Sequence, residues 1–93
     1  MSTPTYPWYI RYTEVFSDTR VPIRSATGPW DWCFETLGEA KKFVLERLPR
    51  EHATHRNALP CYDIEGGRND CGYRFAKMKN GDVKKIYSWS PNR

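Results

Sequence analysis

Residues 36–49 read TLGEAKKFVLERLP, and this stretch has the clearest helical pattern in the chain. Thr36 and Glu39 have the spacing of a capping box, in which each side chain bonds the backbone N–H of the other residue. Pro49 ends the pattern, because proline has no N–H to donate and disfavours helical geometry in the residue before it. The sequence therefore predicts a helix over about residues 36–48.

The predicted helix has one apolar side and one charged side. The apolar side chains recur at helical spacing and are Leu37, Ala40, Phe43, Val44, Leu45 and Leu48. Glu39, Lys42 and Glu46 lie opposite them, three and four residues apart, where unlike charges attract. Because so short a helix is not stable alone in water, its apolar side needs a surface to pack on. The flanking sequence suggests that this surface is a sheet.

Two stretches before the helix have strand patterns. Residues 8–16 alternate between two faces. The face that we assign to the helix side carries Trp8, Ile10, Tyr12 and Phe16. Residues 21–25 suggest a second strand that returns antiparallel. Pro22 cannot donate a ladder hydrogen bond, so this strand is expected at an edge of the sheet or with a poorly paired start.

Strand patterns also follow the helix. They cover residues 61–65, 73–79 and 83–89. Asn80-Gly81 lies between the last two and is the strongest short signal for a hairpin. With those two residues as the loop, Met78 would lie opposite Val83.

The predicted fold class is α+β, with a single mostly antiparallel sheet in the order β-β-α-β-β and the helix packed on one face. A chain of 93 residues forms one small domain, residues 1–93. We expect residues 1–7 to form a loose N-terminal arm and residues 90–93 to form a frayed tail. The sheet face away from the helix is expected to be partly open.

The composition narrows the class of protein. With 39% hydrophobic residues, four Trp and six Tyr, the chain is too apolar and too aromatic to be disordered. No apolar run approaches the about 18 residues of a membrane span, and residues 1–5 lack the pattern of a signal peptide. Three cysteines without an export signal are more typical of a reducing compartment than of a disulfide framework. We therefore expect a cytoplasmic protein without a membrane partner, of undetermined oligomeric state.

Residues 30–34, WDWCF, form an aromatic cluster directly before the helix. Alternation would place Trp30, Trp32 and Phe34 together, either in a short strand or as a plug over one end of the core. Core packing is the simpler interpretation, because rings are the largest apolar groups that a small domain has. The alternative is that Trp30 and Trp32 are exposed anchors, since Trp is enriched at the hot spots of protein interfaces.

The basic residues fall into two groups. The first lies at the helix exit beside two histidines and comprises Arg47, Arg50 and Arg56. The second lies on the predicted last hairpin, near Tyr87, and comprises Arg74, Lys77, Lys79, Lys84 and Lys85. Such a hairpin could follow a phosphate backbone while rings stack on bases. The alternative is that lysines at a sheet edge prevent pairing with other sheets.

The nearest approach to a metal site is the set His52, His55, Cys61 and Cys71, because zinc prefers nitrogen and sulfur ligands. Their spacing matches no standard zinc finger, and a Cys-x-x-Cys pair is absent. We therefore expect exposed histidines beside packed or free thiols, and no cofactor.

No sequence motif for catalysis is present. Any of the cysteines can be paired on paper with either histidine, so a Cys/His nucleophile is not specified. A nucleophile elbow, a phosphate-binding loop and a dinucleotide fingerprint are all missing. We therefore expect that the protein is not an enzyme.

Two functions from different classes remain. The first is a small non-catalytic module that binds a larger protein partner or complex. In size and composition, though in no motif, the chain resembles the compact inhibitors that phages and mobile elements direct at host machines, anti-CRISPR proteins among them, and this resemblance implies an inhibitor. The second is a nucleic-acid-binding protein that uses the basic hairpin and an aromatic sheet face. We favour the protein partner, because the net charge of +4 is modest and nucleic-acid motifs are missing.

Overall fold

The computed structural model describes residues 6–67 and 71–90. In chain order its elements are strand β1 (Trp8–Phe16), a first 3₁₀ turn (Arg24–Ala26), strand β2 (Trp32–Phe34), helix α1 (Leu37–Arg47), a second 3₁₀ turn (Leu48–Arg50), and strands β3 (Ala58–Gly66), β4 (Cys71–Lys77) and β5 (Val83–Trp89). The strands form one antiparallel sheet in the order β2-β1-β3-β4-β5, and α1 packs on one face.

The α+β class is confirmed. Within the described residues three strands follow the helix, at the three places where strand patterns were found, so the summary order β-β-α-β-β was one strand short.

The predicted arm and tail fall mostly outside the described residues, which omit residues 1–5 and 91–93. Where the arm is described, it is attached to the sheet, because the Pro7 carbonyl accepts a hydrogen bond from the Gly67 amide at 3.2 Å.

Helix α1 begins and ends close to the predicted residues. Thr36 is the N-cap, and its hydroxyl oxygen accepts from the Glu39 amide at 3.1 Å. The Glu39 carboxylate accepts from the Thr36 hydroxyl at 2.9 Å instead of reaching the Thr36 amide, so the capping box is only half formed. After Arg47 the chain tightens into the second 3₁₀ turn, which contains Pro49.

The side of the sheet covered by α1, here the helix face, holds the main core. Its buried residues are Ile10, Ala40, Val44, Leu48, Tyr62 and Ile64. Half-buried rings surround them, among them Trp8, Tyr12, Trp32, Phe34, Phe43 and Phe75. The predicted assignment of Trp8, Ile10 and Tyr12 to the helix side therefore agrees with the structure, whereas Phe16, which was assigned with them, is exposed and does not belong to this core.

The opposite side, here the second face, is partly covered. Near one end it has a small core of its own, made of Val15, Leu59, Cys61 and Ala76, with Met78 and Ile86 packed against it. The rest of this face carries the polar and aromatic residues described below.

The second strand predicted at residues 21–25 is not formed. Pro22 makes a single bridge with Val15, and the Ile23 amide donates to the Glu14 carbonyl at 2.8 Å before the chain enters the first 3₁₀ turn. Because Pro22 has no N–H, a regular ladder cannot run through it. Strand β2 takes the edge position beside β1, which was one of the two alternatives for the aromatic cluster.

The predicted register of the last hairpin is wrong by one residue. Val83 pairs with Lys77 and not with Met78. The loop has three residues, because the Met78 amide bonds the Asp82 carbonyl and Gly81 closes the turn with a φ of +95°. Glycine adopts this conformation without strain, which makes the three-residue loop available.

We expect Thr36→Ala to lower the free energy of unfolding by about 1 kcal/mol, because the Glu39 amide loses its acceptor. Urea denaturation followed by tryptophan fluorescence measures the change. Thr19→Ala is the control, since the Thr19 hydroxyl accepts only a long, exposed bond of 3.4 Å from the Val21 amide. Equal losses in the two variants would contradict a capping role.

Candidate functional site

A line of charged and aromatic side chains crosses the second face. The register of strands β1, β3, β4 and β5 pairs Arg11 with Asp63, Asp63 with Arg74, and Arg74 with Tyr87. Residues that are paired across antiparallel strands lie on the same face of a sheet, so their side chains meet. We call this line the arginine–aromatic row; its members are Trp30, Arg11, Asp63, Arg74, Tyr87 and Trp89.

Asp63 is fully buried at the centre of the row and holds both guanidinium groups. Arg74 binds it in a bidentate manner, with Nε donating to Oδ1 at 2.7 Å and Nη2 donating to Oδ2 at 3.0 Å. Arg11 Nε donates to Oδ2 at 3.4 Å from the other side. Hydrogen bonding to Asp63 raises the pKa of Arg74 despite the burial of that side chain. The carboxylate therefore fixes the positions of both cations.

Aromatic rings lie at both ends of the row. The Arg11 guanidinium lies 4.3 Å from the centroid of the Trp30 ring. At the other end, Arg74 lies 5.8 Å from the Tyr87 centroid and 5.9 Å from the Trp89 centroid. Those two rings are stacked, with centroids 5.8 Å apart. Contacts of this kind between cations and ring faces are attractive.

The row reaches solvent through some of its members only. Tyr87 as a whole residue is 55% exposed, whereas the Arg11 and Arg74 side chains are 29% and 12% exposed. Beside the Trp30 end lies a groove of about 430 Å³ whose lining includes Tyr6, Tyr9 and Glu65. The second face thus offers exposed rings next to cations that are held in place.

The two predicted tryptophan anchors lie on different faces. Trp30 belongs to the row, but Trp32 packs in the helix-face core, with its ring 5.2 Å from Phe43 and 5.8 Å from Tyr62. Strand β2 begins only at Trp32, so strand alternation does not extend back to Trp30. For Trp32 the structure favours the core interpretation.

The three arginines at the helix exit do not form one group. Arg47 donates to the Tyr62 hydroxyl at 3.0 Å, and its guanidinium lies 5.1 Å from the Trp32 ring centroid. Arg47 and Arg50 line a shallow groove, whereas Arg56 is exposed in the loop after the second 3₁₀ turn. Arg47 therefore supports the packing of the core.

Tyr62 connects this region to the second 3₁₀ turn. Its hydroxyl donates to Glu51 Oε1 at 2.9 Å while accepting from Arg47. Burial and the bond to Glu51 raise the pKa of Tyr62 to about 12.

The basic residues of the last hairpin are divided between both faces of the sheet. Register places Arg74, Lys84 and Tyr87 on the second face, and Lys77 and Lys85 on the helix face. Lys77 Nζ donates to the carbonyls of Pro49 at 2.8 Å and Glu51 at 3.1 Å, and Lys79 lies in the hairpin loop. The structure does not bring these cations together on one surface.

The weak metal candidates do not meet either. Cys61 is buried in the second-face core, and this burial raises the pKa of its thiol to about 12. Cys71 lies five residues along β4 from Ala76, the partner of Cys61, which corresponds to about 17 Å. His52 is exposed in the loop after the second 3₁₀ turn, and His55 bonds a carboxylate. Within residues 6–67 and 71–90, no three His, Cys, Asp or Glu side chains form a metal-binding group.

That carboxylate, Glu14, forms a second polar cluster at the edge of the sheet. It is fully buried, and Tyr12, Thr54 and His55 donate five hydrogen bonds to its two oxygens. Burial alone would raise the pKa of Glu14, but these hydrogen bonds outweigh it and lower the pKa to about 2. Burial and the bond to Glu14 also raise the pKa of Tyr12.

The His55 ring extends this cluster to the first 3₁₀ turn. Nδ1 lies 3.1 Å from Glu14 Oε1, and Nε2 lies 3.1 Å from Ser25 Oγ. This cluster was not predicted from the sequence. The available signal was a glutamate within the apolar face of residues 8–16, which requires donors for its buried oxygens.

The chain matches no protein family model, and neither a curated protein nor a solved structure shows significant similarity to it. Within the part of the chain that the structure describes, no helix has the length and apolarity needed to cross a membrane.

Proposed function

We propose that the protein is a binding module that docks a larger protein partner onto the arginine–aromatic row. The observation that carries the proposal is the composition of the row around buried Asp63. Arg, Tyr and Trp are the residue types most enriched at the hot spots of protein interfaces. Here all three occur side by side on one face.

The geometry of the row favours tight docking. Asp63 already orders Arg11 and Arg74, so little side-chain entropy would be lost when a partner contacts the exposed part of Arg11 while Arg74 stays buried beside Asp63. Tyr87 and Tyr9 supply exposed apolar area beside them. Two arginines against one aspartate leave one net positive charge, which complements a partner surface with acidic groups.

Nucleic-acid binding is the second candidate, favoured by the stacked pair Tyr87 and Trp89 beside Arg74. Such rings can stack on unpaired bases while a cation contacts phosphate. The division of the hairpin cations between two faces, and the bonds that hold Lys77 to main-chain carbonyls, argue against a continuous path for phosphates. We therefore rank the protein partner first.

We expect Tyr87→Ala and Trp30→Ala to weaken binding of the partner at least about 30-fold, which corresponds to about 2 kcal/mol. Partners are identified by quantitative affinity capture with the wild-type protein and then titrated directly against each purified variant. Phe16→Ala is the matched control, because Phe16 is 42% exposed but lies on the helix face of β1, away from the row. Equal affinities for wild type, Tyr87→Ala and Trp30→Ala would contradict the proposed surface.

Fluorescence anisotropy with labelled single- and double-stranded DNA and RNA separates the two candidates. Micromolar binding that weakens steeply with salt and is lost in Tyr87→Ala would show that the row binds nucleic acid, and the protein-partner proposal would be given up. A protein interface anchored by rings is expected to depend less on salt.

Two narrower statements also remain proposals. The first is that the partner is a host machine that the module inhibits, as phage-encoded anti-CRISPR proteins do; an activity assay on the captured partner tests it. The second is a cytoplasmic, reducing location, which rests on the three cysteines. Neither statement affects the choice of residues for the binding test.

A further inference from the structure

We propose that Ser25, His55 and Glu14 form a nucleophilic site that hydrolyses small activated esters, separate from the arginine–aromatic row. The three residues come from the first 3₁₀ turn, the loop before β3, and β1. Two hydrogen bonds of 3.1 Å join them in a line from hydroxyl to imidazole to carboxylate. A nucleophile bonded to a base that a third group orients is the arrangement that activates serine.

The hydrogen bonds around Glu14 determine which nitrogen of His55 carries the proton. An ionised carboxylate only accepts, so His55 Nδ1 must be the donor in its bond to Oε1. The Thr54 hydroxyl gives its one hydrogen to Glu14 Oε2 at 2.9 Å. Its oxygen lies 3.2 Å from His55 Nδ1 and can therefore only accept a hydrogen bond from that nitrogen. Neutral His55 therefore presents the lone pair of Nε2 to the Ser25 hydroxyl, as a general base must.

Backbone contacts hold the three residues in this geometry. The Thr54 and His55 amides donate to the Glu14 carboxylate at 2.8 and 3.0 Å, which ties the loop to β1. The Ile23 amide donates to the Glu14 carbonyl at 2.8 Å, which places the first 3₁₀ turn beside the same residue. The line from Ser25 to Glu14 thus does not depend on side-chain contacts alone.

The proposed site is open to solvent at its reactive end. Ser25 is exposed and the His55 side chain is 38% exposed, whereas Glu14 is fully buried. An open site selects weakly for substrate shape, so esters with a small acyl group and a good leaving group are the expected substrates.

The reaction conserves atoms and charge in two steps. Ser25 Oγ attacks the carbonyl carbon of the ester while its proton passes to His55 Nε2. The bond between that carbon and the leaving oxygen then breaks, and the leaving group takes the proton from Nε2 and departs as an alcohol. Water then attacks the acylated Ser25, gives a proton to His55 Nε2, and releases the acid as the proton returns to Ser25 Oγ. The net change is an ester and water converted to an acid and an alcohol. Glu14 is a positioning residue, which holds the Nδ1–H tautomer and stabilises the imidazolium.

A fluorophosphonate probe tests the nucleophile directly, since it forms a stable covalent bond with activated serines. Intact-mass and peptide analysis should locate one adduct on Ser25 in the wild type and none in Ser25→Ala. His55→Gln should react at least about 100-fold more slowly, because it lacks the general base. His52→Gln is the matched control and should react like the wild type, since His52 is an exposed histidine of the same loop. p-Nitrophenyl acetate hydrolysis should follow the same order.

The tautomer of His55 tests the positioning role of Glu14, because a purely structural role would leave this tautomer unchanged. Nitrogen-15 NMR of the histidine ring should show the Nδ1–H tautomer of His55 in the wild type. In Glu14→Gln the side-chain amide can donate to Nδ1, so we expect the opposite tautomer and slower labelling of Ser25. Circular dichroism confirms that each variant is folded.

Two outcomes would overturn the proposal: no adduct on Ser25 of the folded wild type, or equal labelling rates in wild type and His55→Gln. Neither Ser25 nor His55 belongs to the arginine–aromatic row, so the result is independent of the binding experiment. A positive result would correct the expectation from sequence that the protein is not an enzyme.

Discussion

Replacing Asp63 by alanine is expected to lower the free energy of unfolding by about 3–5 kcal/mol, because two guanidinium groups lose the carboxylate that neutralises them. Asp63 is fully buried, and Arg74, which binds it in a bidentate manner, is only 12% exposed. Arg74 cannot reach water freely from this position, so it would remain as a poorly solvated charge within the sheet. Small domains are stable by about 5–15 kcal/mol, so the variant should be close to unfolding.

Urea denaturation at pH 7 measures this effect, with Glu65→Ala as the control. Glu65 lies two residues from Asp63 on the same face of β3 but is only partly buried. We expect less than about 1 kcal/mol from its removal. Asp63→Leu combined with Arg74→Leu should recover part of the stability, because apolar residues replace the whole buried pair. Similar losses in Asp63→Ala and Glu65→Ala would show that the arginines do not depend on Asp63.

Acidification is expected to remove about 3 kcal/mol of stability through Glu14 alone, between about pH 5 and pH 2. Hydrogen bonds, outweighing burial, lower the pKa of Glu14 in the folded protein to about 2 from its ordinary value of 4.5. Above pH 4.5 the carboxylate is ionised in both states, and the folded state has the full benefit of the five hydrogen bonds. As the pH falls, the unfolded state binds a proton first, so the free energy of unfolding decreases until the folded state is protonated as well.

Comparison of wild type with Glu14→Gln isolates this contribution. Urea denaturation of both proteins at pH 7, 4 and 2.5 gives two stability profiles, and the difference between them reports Glu14, since all other acids titrate in both. The profiles should converge as the pH approaches 2. Glu39→Gln, which changes an exposed carboxylate on α1, should stay parallel to the wild type. Parallel profiles for Glu14→Gln would mean that Glu14 has an ordinary pKa in the folded protein.

Both candidate sites are built around a buried carboxylate. Asp63 orders the cations of the arginine–aromatic row, and Glu14 orders His55 beside Ser25. A carboxylate in such a position is costly unless donors surround it, so the surrounding side chains are held in a single arrangement. In each case stability and the geometry of the surface depend on the same residue, and for this reason the unfolding measurements above should precede the binding and labelling experiments.

The sequence by itself determined part of the local structure of this protein. Helix α1 lies between its cap at Thr36 and Pro49 as predicted, and β1 has the predicted bounds Trp8–Phe16. Both predictions used patterns of neighbouring residues, which carry helical and strand periodicity directly. At residues 30–34 the local pattern was compatible with two structures. It did not show which of the rings lie in the core and which lie at the surface.

Only the tertiary structure decided which residues meet. Arg11, Asp63 and Arg74 are separated by 52 and 11 positions, and they contact one another because of the register of three strands. Register depends on pairing across the whole sheet, and a shift of one residue would turn Asp63 toward the helix face. Ser25 and His55 are likewise 30 positions apart and come together through contacts with β1. Periodicity along the chain contains no information about which distant residues meet. Neither candidate site could therefore be predicted without the pairing of the strands.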